Sequence, residues 1–248
     1  MLYKPVKNIR VALTSAGMAG LSAEEEENYN HDWYHFLFNH MTKDLINKES
    51  FSQMNPYEFS FVSFNYDRSL EYYLWKSFKH SFSEIDENTI NTALRSVKIW
   101  HVYGQIEYLP WQFKGNERPY LTHDDIIDIS ILKSLSKNIK VMHNQDRCTE
   151  NFNEARHEIA NANKIYFLGF GFAEENLRVL GIPEILKDRK IQRKIYATNF
   201  GETALKEWEI IQLFDGCVQA TAIEPFPDHV KVGKSDWDCL RLLREYGI

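Results

Sequence analysis

The chain has 248 residues, enough for one α/β domain with a full core, and its 44% hydrophobic and 26% charged composition is ordinary for a soluble globular protein. The formal net charge of −6 provides no overall positive field, so a nucleic-acid partner is not expected. The three cysteines have no metal-binding spacing, no apolar run has membrane-spanning length and no signal peptide is evident, so we expect a cytoplasmic protein without disulfides.

The first 48 residues carry two weak site patterns. Residues 8–13 predict a short strand, and a small-residue loop follows at residues 14–20. Its glycines could let backbone N–H groups approach a phosphate, or the loop is an ordinary connector. Residues 23–48 predict a helix on which His31 and His35 have metal-binding spacing, but no third ligand accompanies them, so no metal is expected.

The strongest local pattern lies at residues 59–74. Residues 59–64 are aromatic and β-branched and predict a buried strand, whereas residues 68–80 have apolar side chains at helical spacing. Asn65 and Asp67 lie between the two elements. Because ligands bind at the carboxyl ends of strands in open α/β sheets, these side chains could meet one there. Alternatively, Asp67 only caps the helix.

The remaining chain alternates between helical and strand patterns. Helices are predicted over residues 86–96, 122–136, 150–162, 202–214 and 235–245, and strands over residues 98–104, 139–142, 164–168, 191–197 and 217–223. Gly169 and Gly171 follow a strand directly, where a ligand's phosphate could approach closely. This alternation predicts a doubly wound, mostly parallel sheet with helices on both faces.

A local basic cluster occupies residues 187–194, Lys-Asp-Arg-Lys-Ile-Gln-Arg-Lys. We interpret it as a solvated loop or helix face, with an anion site as the alternative.

Three junctions together resemble the SIR2-like (sirtuin-related) family of NAD-binding proteins, especially its bacterial branch from defence systems. Residues 63–71, SFNYDRSLE, are similar to that branch's FNYD…LE motif. Residues 101–104, HVYG, resemble its HxHG strand end, and residues 167–177, FLGFGFAEENL, resemble its GFGx…NL segment. Residues 195–199, IYATN, fit a late family strand that ends near the adenosine.

The resemblance implies one Rossmann-like, NAD-binding SIR2-like domain over residues 1–248. In active relatives, the glycosidic bond to nicotinamide is cleaved through an oxocarbenium-like state. Carried over, Asn65 would orient the ribose or the attacking water, and Asp67 would hold the ribose or stabilise developing positive charge. The residues implied for nucleotide binding are Gly104, Gly169, Phe170, Gly171, Asn176 and Asn199.

Two departures from the family pattern bear on catalysis. Tyr103 stands before Gly104 where active relatives have His, and a tyrosine is a poor base at neutral pH. His101 lies on the same strand face and either substitutes for it or is a satisfied core histidine. The family's opening strand and phosphate loop are not evident: either residues 15–20 are a degenerate version, or the chain starts downstream of them.

Three functions remain open on these grounds. The first is an NAD⁺ glycohydrolase, with a role in anti-phage defence. The second is an inactive sensor that binds NAD or ADP-ribose. The third is an oligomerising or partner-binding subunit, for which the 14% aromatic content and the aromatic loop at residues 108–120 are the basis.

Overall fold

The computed structural model describes residues 10–14, 32–45, 51, 59–106, 109, 112, 149–187, 191–217 and 229–247. The strands are β1 (Arg10–Thr14), β2 (Phe59–Ser63), β3 (Lys98–His101), β4 (Lys164–Leu168), β5 (Lys194–Ala197) and β6 (Val230–Val232). They form one sheet in the order β3-β2-β1-β4-β5-β6, and every neighbouring pair is parallel. The strand order reverses between β1 and β4, which is the Rossmann-like, doubly wound arrangement expected from the sequence.

Helices cover both faces of the sheet. They are α1 (Trp33–Thr42), α2 (Ser69–Ser81), α3 (Glu87–Ser96), α4 (Thr149–Asn161), α5 (Glu174–Leu180), α6 (Ala204–Leu213) and α7 (Cys239–Tyr246). One core contains buried side chains of α4, α5 and α6, and the other contains those of α1, α2, α3 and α7. Alternating strand residues supply the two cores, as the pleat requires.

The strand patterns follow from this double burial. In β4, Ile165 and Phe167 belong to one core, whereas Tyr166 and Leu168 belong to the other. All residues of β2 are buried, which explains why its sequence contains only apolar residues and small serines. Such runs are typical of parallel strands covered on both faces.

The amphipathic pattern of residues 68–80 forms α2 as expected. Leu74 and Phe78 are fully buried on its sheet-facing side, and each such side chain contributes about 1.5–3 kcal/mol of burial free energy. The next helix, α3, begins where Asp86 accepts a hydrogen bond of 3.0 Å from the backbone N–H of Thr89. This capping bond satisfies an N–H group that has no partner within the helix.

Three predicted strands differ clearly from the structure. The strand predicted over residues 191–197 begins only at Lys194. The strand predicted over residues 98–104 ends at His101, because Val102 and Tyr103 form a turn into Gly104, whose φ is +89°. The strand predicted at residues 217–223 was wrong at its first residue, since Cys217 lies in a turn and residues 218–223 lie outside the described part. The sixth strand is instead Val230–Val232, which is too short to give a strand pattern.

The basic cluster at residues 187–194 is also not a simple solvated face. Arg193 is fully buried, and its guanidinium donates hydrogen bonds to the carbonyl oxygens of Leu186 and Ala160. These carbonyls lie at the ends of helical segments, where backbone acceptors have no partner within the helix, so the guanidinium supplies their hydrogen bonds.

The strand expected at residues 8–13 is present as β1, at the centre of the sheet. The loop at residues 15–20, His31, the helix at residues 122–136 and the strand at residues 139–142 lie outside the described residues.

Candidate functional site

The residues singled out from the sequence follow the carboxyl ends of four strands. Asn65 follows β2, Tyr103 follows β3, Gly169 follows β4 and Asn199 follows β5. Because all strands are parallel, these ends lie along one edge of the sheet. This edge includes the point between β1 and β4 where the strand order reverses.

The loop after β2 is fixed by its own side chains. The backbone N–H of Asn65 donates to Ser63 Oγ at 3.1 Å, and the N–H of Ser69 donates to Asp67 Oδ1 at 3.0 Å. The hydroxyl of Ser69 also donates to Asp67 and lies 2.9 Å from the hydroxyl of Tyr34. Asp67 therefore holds the backbone just before α2 through Ser69, although the N-cap residue of that helix is Arg68, which makes no side-chain capping bond.

A buried ionic cluster lies directly behind this loop. Arg68 Nε and His101 Nε2 both lie 2.7 Å from Glu71 Oε1, and His101 Nδ1 lies 2.8 Å from the carbonyl oxygen of Asn65. The exposed fractions of Arg68, Glu71 and His101 are 3%, 5% and 5%. Glu71 lies on the same face of α2 as Leu74 and Phe78, which is how a carboxylate comes to be buried there.

Both ring nitrogens of His101 face acceptors, a backbone carbonyl and a carboxylate. Both nitrogens therefore have hydrogen-bond partners, which fixes the orientation of the ring. Burial alone would raise the pKa of Glu71, but the hydrogen bond and charge of His101, together with Arg68, hold it below its ordinary value. The arrangement is that of a satisfied buried histidine, one of the two roles considered from the sequence.

Tyr103 joins two of the motifs. Its hydroxyl donates a hydrogen bond of 2.7 Å to Asn176 Oδ1, and its ring makes an edge contact with Phe64. Phe64 also makes an edge contact with Phe170, at 5.1 Å between ring centroids. Side chains that follow β2, β3 and β4 thus form one aromatic cluster below the carboxyl edge.

The turn after β4 is held against the end of β5. Gly169, whose φ is +61°, donates its N–H to Thr198 Oγ1 at 2.7 Å. Gly171 is exposed, and a side chain added there would meet nothing within 4 Å. A phosphate or ribose could therefore approach the backbone of this turn closely.

Among the described residues of this edge, Asn199 has a buried polar atom without a partner. Its side chain is only 3% exposed, and Nδ2 donates to the carbonyl of Thr203 at 3.4 Å. Oδ1 has no hydrogen-bond partner. A buried amide oxygen without a partner costs about 1–3 kcal/mol, which a donor from a ligand would offset.

A cavity of about 710 Å³ lies beside β3 and extends to its carboxyl end, where Gln105 lines it. Its lining comes from both faces of the sheet, with Trp100 and Lys98 of β3, Glu154 and Glu158 of α4, and Arg68 of the ionic cluster. None of the site residues predicted from the sequence lines it. The carboxyl edge is favoured as the site because it contains the motif residues and the orphaned amide oxygen.

Two further findings concern the described residues alone. They contain no group of three or more His, Cys, Asp or Glu side chains arranged to hold a metal ion. They also contain no helix of sufficient length and apolar character to cross a membrane.

Large exposed apolar side chains occur at one place in the described chain, Phe200, Leu205 and Trp208. The aromatic loop at residues 108–120, considered above as an interface, lies outside the described residues apart from Leu109 and Gln112. Its role in association stays a prediction.

The roles of Glu71, Arg68 and Thr198 were not predicted from the sequence. Glu71 precedes Leu74 by three positions and Phe78 by seven, a spacing that places it on the apolar face of the helix. This spacing could have predicted that the carboxylate of Glu71 is buried. The contact of Thr198 with Gly169 joins residues 29 positions apart and has no local signature.

A family model described as SIR2-like domain matches residues 60–212, which is more than half of the chain. No match was found among the curated proteins or among the solved structures.

Proposed function

Since the chain belongs to the SIR2-like domain family, we propose that it binds an NAD-type nucleotide at the carboxyl edge of its sheet and hydrolyses the nicotinamide–ribose bond. The observation that carries the proposal is the convergence of the motif residues on that edge, where the strand order reverses. SIR2-like domains bind NAD, and dinucleotides bind at this position in doubly wound sheets.

The residues present fit such a ligand. The orphaned Oδ1 of Asn199 can accept a hydrogen bond from adenosine, and the open space at Gly171 leaves room for a phosphate. The main-chain turn from Gly169 to Gly171 and the side chain of Asn176 complete this half of the proposed site. Gly104 and Phe170 are proposed to line it.

The proposed reaction breaks the bond between ribose C1′ and the nicotinamide nitrogen, and the electron pair leaves with neutral nicotinamide. Water adds to C1′ and releases one proton, giving ADP-ribose. We assign Asn65 to orient the ribose or this water, because its loop lies at the end of β2 beside the point where the order reverses. Asp67 would stabilise positive charge on the ribose as the bond breaks.

A second candidate, binding without turnover, is favoured by Tyr103. Tyr103 is largely buried, its hydroxyl donates to Asn176, and a tyrosine hydroxyl is a poor base at neutral pH. In that case the protein would sense NAD or ADP-ribose. The anti-phage defence role implied by the motif resemblance belongs to the hydrolase proposal, since NAD⁺ depletion is its effect.

The test is nicotinamide release from NAD⁺ by purified protein, compared with Asn65→Ala and with Asn88→Ala on the exposed side of α3 as a matched control. Release by the wild type and the Asn88 variant that is lost with Asn65→Ala supports the hydrolase. Retained NAD⁺ binding without release from any variant supports the sensor instead. A wild type that neither binds NAD⁺ nor releases nicotinamide would refute both proposals.

A further inference from the structure

We infer that His101, Glu71 and Arg68 are positioning residues for Asn65, acting through a hydrogen bond to its backbone. The inference rests on the proposed function, because Asn65 is the residue assigned to orient the ribose or water. It differs from a catalytic role for His101, which would need the imidazole to reach the reacting atoms.

The contacts form one continuous chain from α2 to the site. Arg68 Nε and His101 Nε2 both contact Oε1 of Glu71. On the other side of the ring, His101 Nδ1 donates to the carbonyl of Asn65. The N–H of Asn65 is bonded to Ser63 Oγ, so both main-chain polar groups of this residue have fixed partners. The backbone position from which the Asn65 side chain extends is therefore fixed by hydrogen bonds to both its N–H and its carbonyl group.

Stability alone does not explain this cluster. Burying charged groups is costly, and replacing a buried ion pair with apolar side chains of similar volume is often neutral or stabilising. In this cluster, His101 donates a hydrogen bond to the backbone carbonyl of Asn65, a residue of the proposed site. A misplacement of about 1 Å at a reacting group can lower turnover about 100-fold, which makes such a bond consequential.

The same contacts argue against proton transfer by His101. Both of its nitrogens already have partners, one a carboxylate and one a carbonyl. Neither nitrogen is therefore free to exchange a proton with the reacting atoms.

Two substitutions separate the functions of the two ring nitrogens. In His101→Asn the side-chain amide nitrogen lies near the Nδ1 position, so the bond to the carbonyl of Asn65 can be kept while the contact with Glu71 is lost. In His101→Gln the longer amide reaches toward the Nε2 position, so the contact with Glu71 can be kept while that with Asn65 is lost. Both variants remove the imidazole and leave a neutral amide in its place.

We expect His101→Gln to lower kcat for nicotinamide release about 100-fold with a smaller change in KM. His101→Asn should lose clearly less turnover. Equal losses in both variants would overturn the inference, because a general base or a purely structural histidine does not distinguish the two nitrogens.

A second measurement does not depend on activity. Amide hydrogen exchange across residues 64–70 should accelerate in His101→Gln and stay near the wild-type rate in His101→Asn, at matched thermal stability. If the wild type releases no nicotinamide, the hydrolase proposal fails. The exchange comparison still tests whether His101 fixes the backbone of Asn65. Equal exchange in both variants contradicts it.

Should His101→Gln fail to fold, His101→Leu removes the bond to the carbonyl of Asn65 with a side chain that cannot donate. Exchange over residues 64–70 should then be faster than in His101→Asn, and equal rates would overturn the inference.

Discussion

Tyr103 and Asn176, which lie 73 positions apart, are joined by a hydrogen bond of 2.7 Å from the tyrosine hydroxyl to the asparagine Oδ1. The bond connects the turn after β3 with the helix that follows the glycine turn after β4. Two motifs that are separate in the sequence thus share one contact below the carboxyl edge.

Removing this contact should weaken the fold modestly. We expect Tyr103→Phe to lower the free energy of unfolding by about 1 kcal/mol, since the partly buried Oδ1 of Asn176 loses its donor. Urea unfolding measures the change. No loss of stability would mean that water replaces the hydroxyl at no cost.

Tyr103→His introduces the residue that the motif resemblance implies before the glycine. An imidazole with an ordinary pKa of about 6.5 can accept a proton near neutral pH, whereas the hydroxyl of a tyrosine cannot. We expect nicotinamide release to rise by at least about tenfold over the wild type. An unchanged or lower rate, in a folded variant, would show that Tyr103 does not limit the reaction.

The buried carboxylate of Glu71 should make stability depend on pH. Its pKa is lowered in the folded protein, so the unfolded chain binds more protons in the window below the ordinary glutamate pKa of about 4.3. The stabilisation is therefore present above that pH and is lost as the pH falls toward the folded-state pKa. Glu71→Gln should cost about 3 kcal/mol at pH 7 and progressively less below pH 4.3.

Unfolding by urea at several pH values checks this expectation. Glu175→Gln is the matched control, because the ion pair of Glu175 with Arg178 is exposed and such pairs contribute little. A difference between wild type and Glu71→Gln that stays constant with pH would contradict the lowered pKa.

Two neighbouring glycines should respond differently to alanine. Gly169→Ala should destabilise the protein by about 1–2 kcal/mol, because φ is +61° there and a Cβ disfavours that conformation. Gly171→Ala should leave stability nearly unchanged, since nothing lies within 4 Å of the added carbon.

The affinity for NAD⁺ tests the role of Gly171 in ligand binding separately from its role in stability. If phosphate or ribose approaches the turn closely, Gly171→Ala weakens NAD⁺ affinity although the variant is as stable as the wild type. Unaltered affinity would remove Gly171 from the proposed site.

Much of the fold followed from local pattern. The apolar run at β2, the helical spacing of α2 and the glycine turn after β4 each have one dominant structural solution, and their alternation predicted the doubly wound sheet. The end of β3 and the strand β6 were missed because a turn at positive φ and a three-residue strand leave little periodic signal.

The site was predictable in its location but not in its connections. Motif residues at strand ends indicated the carboxyl edge. The pairing of Glu71 with His101 depends on β3 lying next to β2, and the orphaned oxygen of Asn199 depends on how β5 ends. Neither can be derived from residues that are near in sequence.

The most direct test of the account is calorimetric titration with NAD⁺ and with ADP-ribose, comparing wild type, Asn199→Ala and the control Asn88→Ala. We expect the wild type and the control to bind both ligands, because both ligands contain adenosine. Asn199→Ala should bind each about tenfold more weakly, corresponding to one lost hydrogen bond. A wild type that binds neither nucleotide would contradict the account.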